Sequence, residues 1–323
     1  MKYLVVVALF TFLLNTSCIQ KQNADTKVLK IGLLRGPSAL SLLQLMDSLN
    51  YIDSTKIDYF IADDPIQLRP QLIQNQIHIA VVPTVMAAML YNKGTGYRIA
   101  AVPVWGSMYL LSSDTTIKTW EHLKNKTIHS MAKGMTPDVA LQYLAKFNGV
   151  DPQKDFNINY TYGSHPELAS MLASGKIETA IMSEPMMSMV MKKNPKLRIV
   201  FDIENEWKKA TGNQTAFAQT AVIVDSAFYI QHPNIVRSFL KSYEKSLQSI
   251  TTNHYKIALL AVKNNLLPDT ISSNSSLSRI KIKYVSARDA KYDVIRFLEV
   301  FMTFNPEIIG GKLPGDAIFL QDF

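Results

Sequence analysis

The sequence predicts an α/β protein of two lobes with a ligand cleft between them. Short apolar runs alternate with helix-length amphipathic stretches from residue 28 to 104. The alternation restarts at 108 and continues to about 210, and a lone strand at 216–225 then leads into mostly helical sequence. Strand–helix alternation is the pattern of parallel βαβ units with helices on both faces. A set interrupted by a second set and then resumed gives a discontinuous lobe I (28–107 and 216–323) around a continuous lobe II (108–215). Two hinge strands, near 104–110 and 213–226, join them. The 323 residues also exceed what one hydrophobic core usually organises.

In order, 28–34 reads as a strand, Arg35-Gly36-Pro37-Ser38 as a turn and the following stretch to Leu49 as a helix. Strands follow at 58–62, 77–82 and 98–104, with helices at 65–75 and 85–91. In the second set, strands fall at 108–112, 127–130, 157–162, 177–182 and 197–202, with a short turn or helix at 117–123. Thr136-Pro137-Asp138 opens a helix to Phe147, with Thr136 as N-cap, Pro137 at the first helical position and Asp138 at the positive end. Further helices are expected at 166–174 and 185–192. After the returning strand a long helix spans 232–250, and 269–278, rich in Ser and Asn, reads as a polar loop.

The N-terminus points to a compartment. Lys2 precedes an apolar run at 3–14, and Asn15-Thr16-Ser17 lead to Cys18. That run is shorter than the roughly 20 residues that cross a bilayer, so 1–17 reads as a removable signal. Cys18 is the sole cysteine and stands where a bacterial lipoprotein signal ends; its thiol can form the thioether to diacylglycerol. Residues 18–27 then read as a lipidated tether, with the folded body at the periplasmic, extracytoplasmic face of the cell envelope, held to the membrane. One cysteine leaves no disulfide and no cysteine-based metal cluster within these residues. Composition is that of an ordinary globular chain, 47% apolar and 19% charged. The net charge of +8 is scattered rather than gathered into a basic run, so no nucleic-acid partner is expected.

Several segments then carry a family resemblance. They are Leu33-Leu34-Arg35-Gly36-Pro37-Ser38, Ala80-Val81-Val82-Pro83-Thr84, the stretch 120–128, Thr136-Pro137-Asp138-Val139-Ala140-Leu141, Leu172-Ala173-Ser174-Gly175-Lys176-Ile177, Ser183-Glu184-Pro185, His232-Pro233 and Ile309-Gly310-Gly311-Lys312-Leu313-Pro314. In this order they resemble type II periplasmic substrate-binding proteins of ABC importers, in the nitrate/sulfonate/taurine-type and thiamine-precursor-type cluster. The resemblance implies the two-lobed periplasmic-binding-protein-like fold and a small-molecule solute, polar, heterocyclic or anionic. It also implies ABC permease and ATPase partners, a monomeric receptor, and no catalysis or cofactor.

The candidate ligand contacts sit at strand-to-helix corners, where free N–H groups favour anionic or polar atoms. They are Arg35, Gly36 and Ser38 in lobe I, Thr84 after the 77–82 strand, Thr136 in lobe II, and Trp105 with Ser107 at the crossing. Glu184 completes the set. Arg35 reads either as a clamp for an anion or as a solvated side chain. Trp105 either stacks on a ring or fills the hinge, and Glu184 either meets a cationic group or caps a helix. The cluster Met182, Met186, Met187, Met189 and Met191 faces several directions on one helix and reads as core filler. The six histidines show no metal-ligand spacing. An enzyme of the related thiamine-pyrimidine synthase branch would need a cysteine-rich motif, and a sensory receptor domain would need a transmembrane segment or helix-turn-helix. Neither is present in these residues. Replacing Cys18→Ser should abolish acylation and leave the body folded. Metabolic labelling with an alkyne fatty acid checks this, and label retained by the variant would overturn the lipoprotein reading.

Overall fold

A computed structural model describes residues 28–131, 133–212 and 214–321. The signal segment, Cys18 and the tether lie outside the described residues. The first set of elements runs β1 (Val28–Leu34), α1 (Pro37–Ser48), β2 (Tyr51–Ile52), β3 (Thr55–Ala62), α2 (Pro65–Ile73), β4 (Ile79–Pro83), α3 (Thr84–Asn92) and β5 (Tyr97–Val104). The second runs β6 (Met108–Ser112), β7 (Thr127–His129), α4 (Thr136–Phe147), β8 (Asn157–Asn159), α5 (His165–Ala173), β9 (Thr179–Ser183), α6 (Met186–Lys193), β10 (Arg198–Asp202) and α7 (Ile203–Ala210). The chain then returns through β11 (Thr220–Asp225), α8 (Ser226–Gln231), α9 (Pro233–Thr252), α10 (His254–Lys263), α11 (Thr270–Leu277), β12 (Ile282–Ser286) and α12 (Ala287–Phe304).

Two sheets form. The seven-stranded sheet has the order β12-β5-β11-β4-β1-β3-β2, and the five-stranded sheet β10-β6-β9-β7-β8. β1 pairs in parallel with β3 and β4, and β7 with β8 and β9. The returning strand β11 inserts antiparallel between β4 and β5. The chain therefore crosses from one sheet to the other after β5 and comes back before β11.

The buried apolar residues form three clusters. One lies under α1, α9 and α10 on one face of the large sheet, and one under α5 and α6 on the small sheet. The largest joins residues of both sheets. Its centre is Trp207 on α7, whose ring lies 5.2 Å from Phe217, 5.6 Å from Phe297 and 5.1 Å from Tyr143. These residues come from the returning segment, α12 and α4, so one indole ties together parts of the chain far apart in sequence.

The structure departs from the sequence expectation in several places, among them the added helices α7 and α8 and the start of the returning strand at Thr220 rather than 216. Residues 270–277 are helix α11, not a loop. Asp269 caps its start by accepting from Ser272 N at 2.8 Å, and Ser273 Oγ donates back to the Asp269 carbonyl at 2.6 Å. Ser and Asn disfavour helices because their side chains compete for backbone groups; here Ser272, Ser273 and Ser276 are buried while α11 packs on α10 and α6. Thr136 is the first helical residue of α4 rather than its cap, a place taken by Met135. The short β2 and the edge strand β12 were not signalled by the sequence.

Replacing Trp207→Ala should destabilise the fold by about 3–5 kcal/mol through the cavity left behind. Trp207→Phe should cost much less, because the indole N–H has no hydrogen-bond partner among the described residues. Urea denaturation of both variants tests this; equal losses would show that the ring does not hold the cluster together.

Candidate functional site

The crossing is built around Ser107 and Gln219. The Gln219 amide donates to Ser107 Oγ from Nε2 at 2.7 Å, and the same hydroxyl lies 3.0 Å from its Oε1; both residues are buried. Gln219 N donates to the Val104 carbonyl at 3.1 Å, Thr84 N to the Gln219 carbonyl at 3.1 Å, and Glu184 N to the Ser107 carbonyl at 2.8 Å. Thr84 Oγ1 donates to the Ala218 carbonyl at 2.6 Å. A third segment also reaches the crossing: Trp105 N donates to the Lys281 carbonyl and Lys281 N to the Gly106 carbonyl, both at 2.8 Å. Gly106 permits this approach, since a Cβ there would stand 2.8 Å from Glu204 Cβ.

That third segment is ionic. Lys281 Nζ bonds Asp202 at 3.0 Å, Asn205 at 3.1 Å and also Glu204. Burial alone would lower the Lys281 pKa, but the bonds to Glu204 and Asp202 outweigh it and raise it. Arg279 lies 3.6 Å from Glu184 and donates to Ser188 Oγ at 3.1 Å, and the Arg279 carbonyl accepts from Tyr109 Oη at 2.7 Å. Gln219, Arg279 and Lys281 are the residues the sequence did not single out; nothing about their neighbours in the chain marks them.

Around the crossing, parallel strands end and helices begin. The outer helices α2 and α5 are capped by Asp64 and Ser164. The helices following the inner strands β1, β4 and β7 are not: α1, α3 and α4 each start without a side-chain cap. An uncapped helix start presents N–H groups and positive potential. Gly36 enters α1 with φ 121°, a conformation side-chain-bearing residues rarely adopt. Ser38 is 3% exposed and Thr136 9% exposed, and neither hydroxyl has a hydrogen-bond partner among the described residues. Asp138, the acidic residue in the first turn of α4, turns its buried carboxylate to Gly134 N at 2.6 Å, Tyr160 Oη at 2.7 Å and Gln142 Nε2 at 2.8 Å.

The eight expected contacts thus divide. Thr84, Trp105, Ser107 and Glu184 are knit together at the crossing. Trp105 sits in the core and donates its indole N–H to the Lys283 carbonyl at 2.8 Å. Glu184 caps the start of α6, accepting from Ser188 N at 3.1 Å and Ser188 Oγ at 2.8 Å. Burial pushes its carboxyl above the ordinary range, more than Ser188 and Arg279 pull it down. Arg35 is turned to Asp63 at 2.5 Å and to the Asn265 carbonyl at 2.9 Å. Gly36, Ser38 and Thr136 stand at the uncapped starts, with no bond to the crossing. Among the described residues no group of three or more His, Cys, Asp or Glu is placed to hold a metal ion, and no helix is long and apolar enough to cross a membrane.

Two α/β sheets joined by a double crossing, with uncapped helix starts at their inner strand ends, define a solute receptor of the periplasmic-binding-protein type. The family model described as ABC transporter, phosphonate, periplasmic substrate-binding protein matches residues 42–253, and the chain belongs to that family. Among solved structures, an ABC transporter from Parabacteroides distasonis is 27% identical, with 92% of this chain and 100% of that one covered at a TM-score of 0.80. The periplasmic aliphatic sulphonate binding protein SsuA from Escherichia coli shares the fold at 15% identity, with 91% and 92% covered and a TM-score of 0.71. So does the periplasmic nitrate-binding protein NrtA from Synechocystis PCC 6803, at 14% identity, 88% and 84% covered and a TM-score of 0.66. No curated protein matches the sequence. The chain is the periplasmic substrate-binding component of an ABC importer, not an enzyme, working with a small-molecule ligand and permease and ATPase subunits.

A partly buried histidine near this face makes stability depend on pH on the acid side. His165, the first residue of α5, lies 3.4 Å from Ser183 Oγ at the end of β9, and burial pushes its pKa from 6.5 down to about 4. His78 is likewise pushed down to about 4, by burial and by the charges of Lys30 and His232. A folded-state value below the unfolded one means full stability above pH 6.5, lost as pH falls from 6.5 toward 4. His165 contributes a slope of up to about 1.4 kcal/mol per pH unit in that window, and the partly exposed His78 contributes less because solvent screens it. Replacing His165→Gln should therefore remove more than half of the histidine-linked slope in urea unfolding between pH 6.5 and 4.5. Parallel slopes for variant and wild type would overturn the assignment.

Proposed function

We propose that the chain is a monomeric, lipid-anchored receptor. Residues 1–17 are its signal, Cys18 its acylation site, 18–27 its tether, 28–107 with 216–323 lobe I, and 108–215 lobe II. Its solute is a small anion rich in acceptor oxygens, of the phosphonate or sulfonate kind, held at the starts of α1, α3 and α4. The observation that carries this reading is the contrast in capping: the starts of α1, α3 and α4 are uncapped, and two of them carry hydroxyls, Ser38 and Thr136, with no hydrogen-bond partner among the described residues. Unmet donors of this kind suit an oxyanion, which accepts from several N–H and O–H groups at once. Glu184, committed to Ser188 and Arg279, gives a cationic solute no matching charge. Gly36, Ser38 and Thr136 would line the anion, while Thr84, Trp105 and Ser107 frame it.

Titration with methylphosphonate, ethanesulfonate and nitrate, beside choline as a cation control, tests the class. A bound anion at a hundred times its Kd should stabilise the protein by about 2.7 kcal/mol, visible as a raised melting temperature. Replacing Ser38→Ala or Thr136→Val should weaken the anion that binds about five- to tenfold, as a lost hydrogen bond of about 1–1.5 kcal/mol implies. Their melting temperatures without ligand should stay near wild type. Stabilisation by choline alone, or binding untouched by both substitutions, would move the site elsewhere.

A further inference from the structure

The start of α4 is held from two directions. From its own side, Asp138 grips Gly134 N at 2.6 Å, and Tyr160 and Gln142 fix that carboxylate in turn. From the other side, Asn305 Nδ2 donates to the Gly134 carbonyl at 3.1 Å, although the two residues are 171 positions apart. Asn305 is itself rigidly placed: its N–H ends α12 on the Phe301 carbonyl at 2.8 Å, and its carbonyl accepts from Ile308 N at 3.3 Å. Next to it, Phe304 meets Tyr143 of α4 edge-on at 6.4 Å and lies under Lys146 at 6.0 Å. Immediately beyond, the turn Pro306–Ile309 packs on α3, where Asn92 Nδ2 donates to the Ile309 carbonyl at 2.6 Å. Residues 304–309 therefore bridge α3 and α4, two of the uncapped helices, which belong to different sheets.

We infer that Asn305 is a positioning residue for the solute: by holding Gly134 it sets the Met135–Thr136 helix start in the place where it can donate to the anion. Asn305 touches no ligand in this scheme and acts through Thr136 alone. This rests on the anion-binding reading above, and deepens it by naming what fixes one of its corners. Since the bond spans the two sheets, losing it frees the α4 corner and shows chiefly as faster release of the solute.

A double-substitution cycle tests this with whichever of methylphosphonate and ethanesulfonate binds wild type. Asn305→Leu keeps the side-chain size without adding charge and removes the donor; it should weaken binding about three- to tenfold, mostly in the dissociation rate. In a Thr136→Val background the same change should have little further effect, because the group it positions is gone. In a Ser38→Ala background it should retain its full effect. Asn305→Ala serves as a second form of the same loss and should behave alike. Additive effects in the Thr136→Val background, or wild-type release rates for both Asn305 variants, would overturn the inference while leaving the anion site intact. If neither Ser38→Ala nor Thr136→Val alters binding, the anion site itself is wrong and the role of Asn305 falls with it.

Discussion

The Ser107–Gln219 hydrogen bond is the contact on which the rest of the architecture turns. It lies where the outgoing and returning segments pass each other, and both side chains are buried. A buried amide left without its partner costs roughly 1–3 kcal/mol, so each residue enforces the position of the other. Because Gln219 also carries backbone bonds to Val104 and Thr84, and Ser107 one from Glu184, the same pair aligns the ends of β4, β5 and β9. Strand ends from both sheets are thereby indexed to one point. Of the uncapped helices, α3 leaves directly from one of those ends, while α1 and α4 leave from β1 and β7, which pair with β4 and β9.

This division of labour separates a frame from a receiving surface. Residues with bonded side chains, such as Thr84, Trp105 and Glu184, keep the geometry; residues with unused donors, such as Ser38 and Thr136, are left for something else to satisfy. Native interiors leave few polar groups unmet, so the uncapped starts of α1, α3 and α4, which follow inner parallel strands of both sheets, are informative. It also accounts for the fate of Arg35. Its guanidinium closes the surface between β1, β3 and α10 through Asp63 and Asn265, which leaves attraction of an anion to backbone dipoles and hydroxyls.

Much of the fold was legible in the sequence because it is carried by local pattern. The apolar runs at 28–34 and 108–112 and the corners at Gly36 and Pro137 announce their elements through periodicity and turn chemistry. Long-range pairings left no such mark. Gln219 reads as one polar residue inside the strand expected at 216–225, and only the tertiary structure, where the strand starts at Thr220, puts Ser107 opposite it. Asn305 looks like an ordinary helix terminator until Gly134 is brought across. The serine-rich helix α11 was misread because propensity takes no account of burial, and burial on α6 and α10 decides there. Of the site, the corners could be found from sequence, but not which of their side chains the protein would use itself.

The segment from Arg279 to Lys281 adds a constraint of a different kind. Two bodies linked at two points keep one easy rotation, about the line through those points. The segment itself combines two backbone bonds at the crossing, to Trp105 and Gly106, with ion pairs from Lys281 and Arg279, neither of which is fully enclosed. Partly exposed ion pairs weaken as dissolved ions screen them, over a length of about 8 Å at physiological ionic strength. The ion pairs at this segment are therefore weakened by dissolved salt, while its two backbone bonds are not. A protein that works outside the cytoplasm, where the cell controls the medium least, carries that sensitivity in its joint rather than in its binding surface.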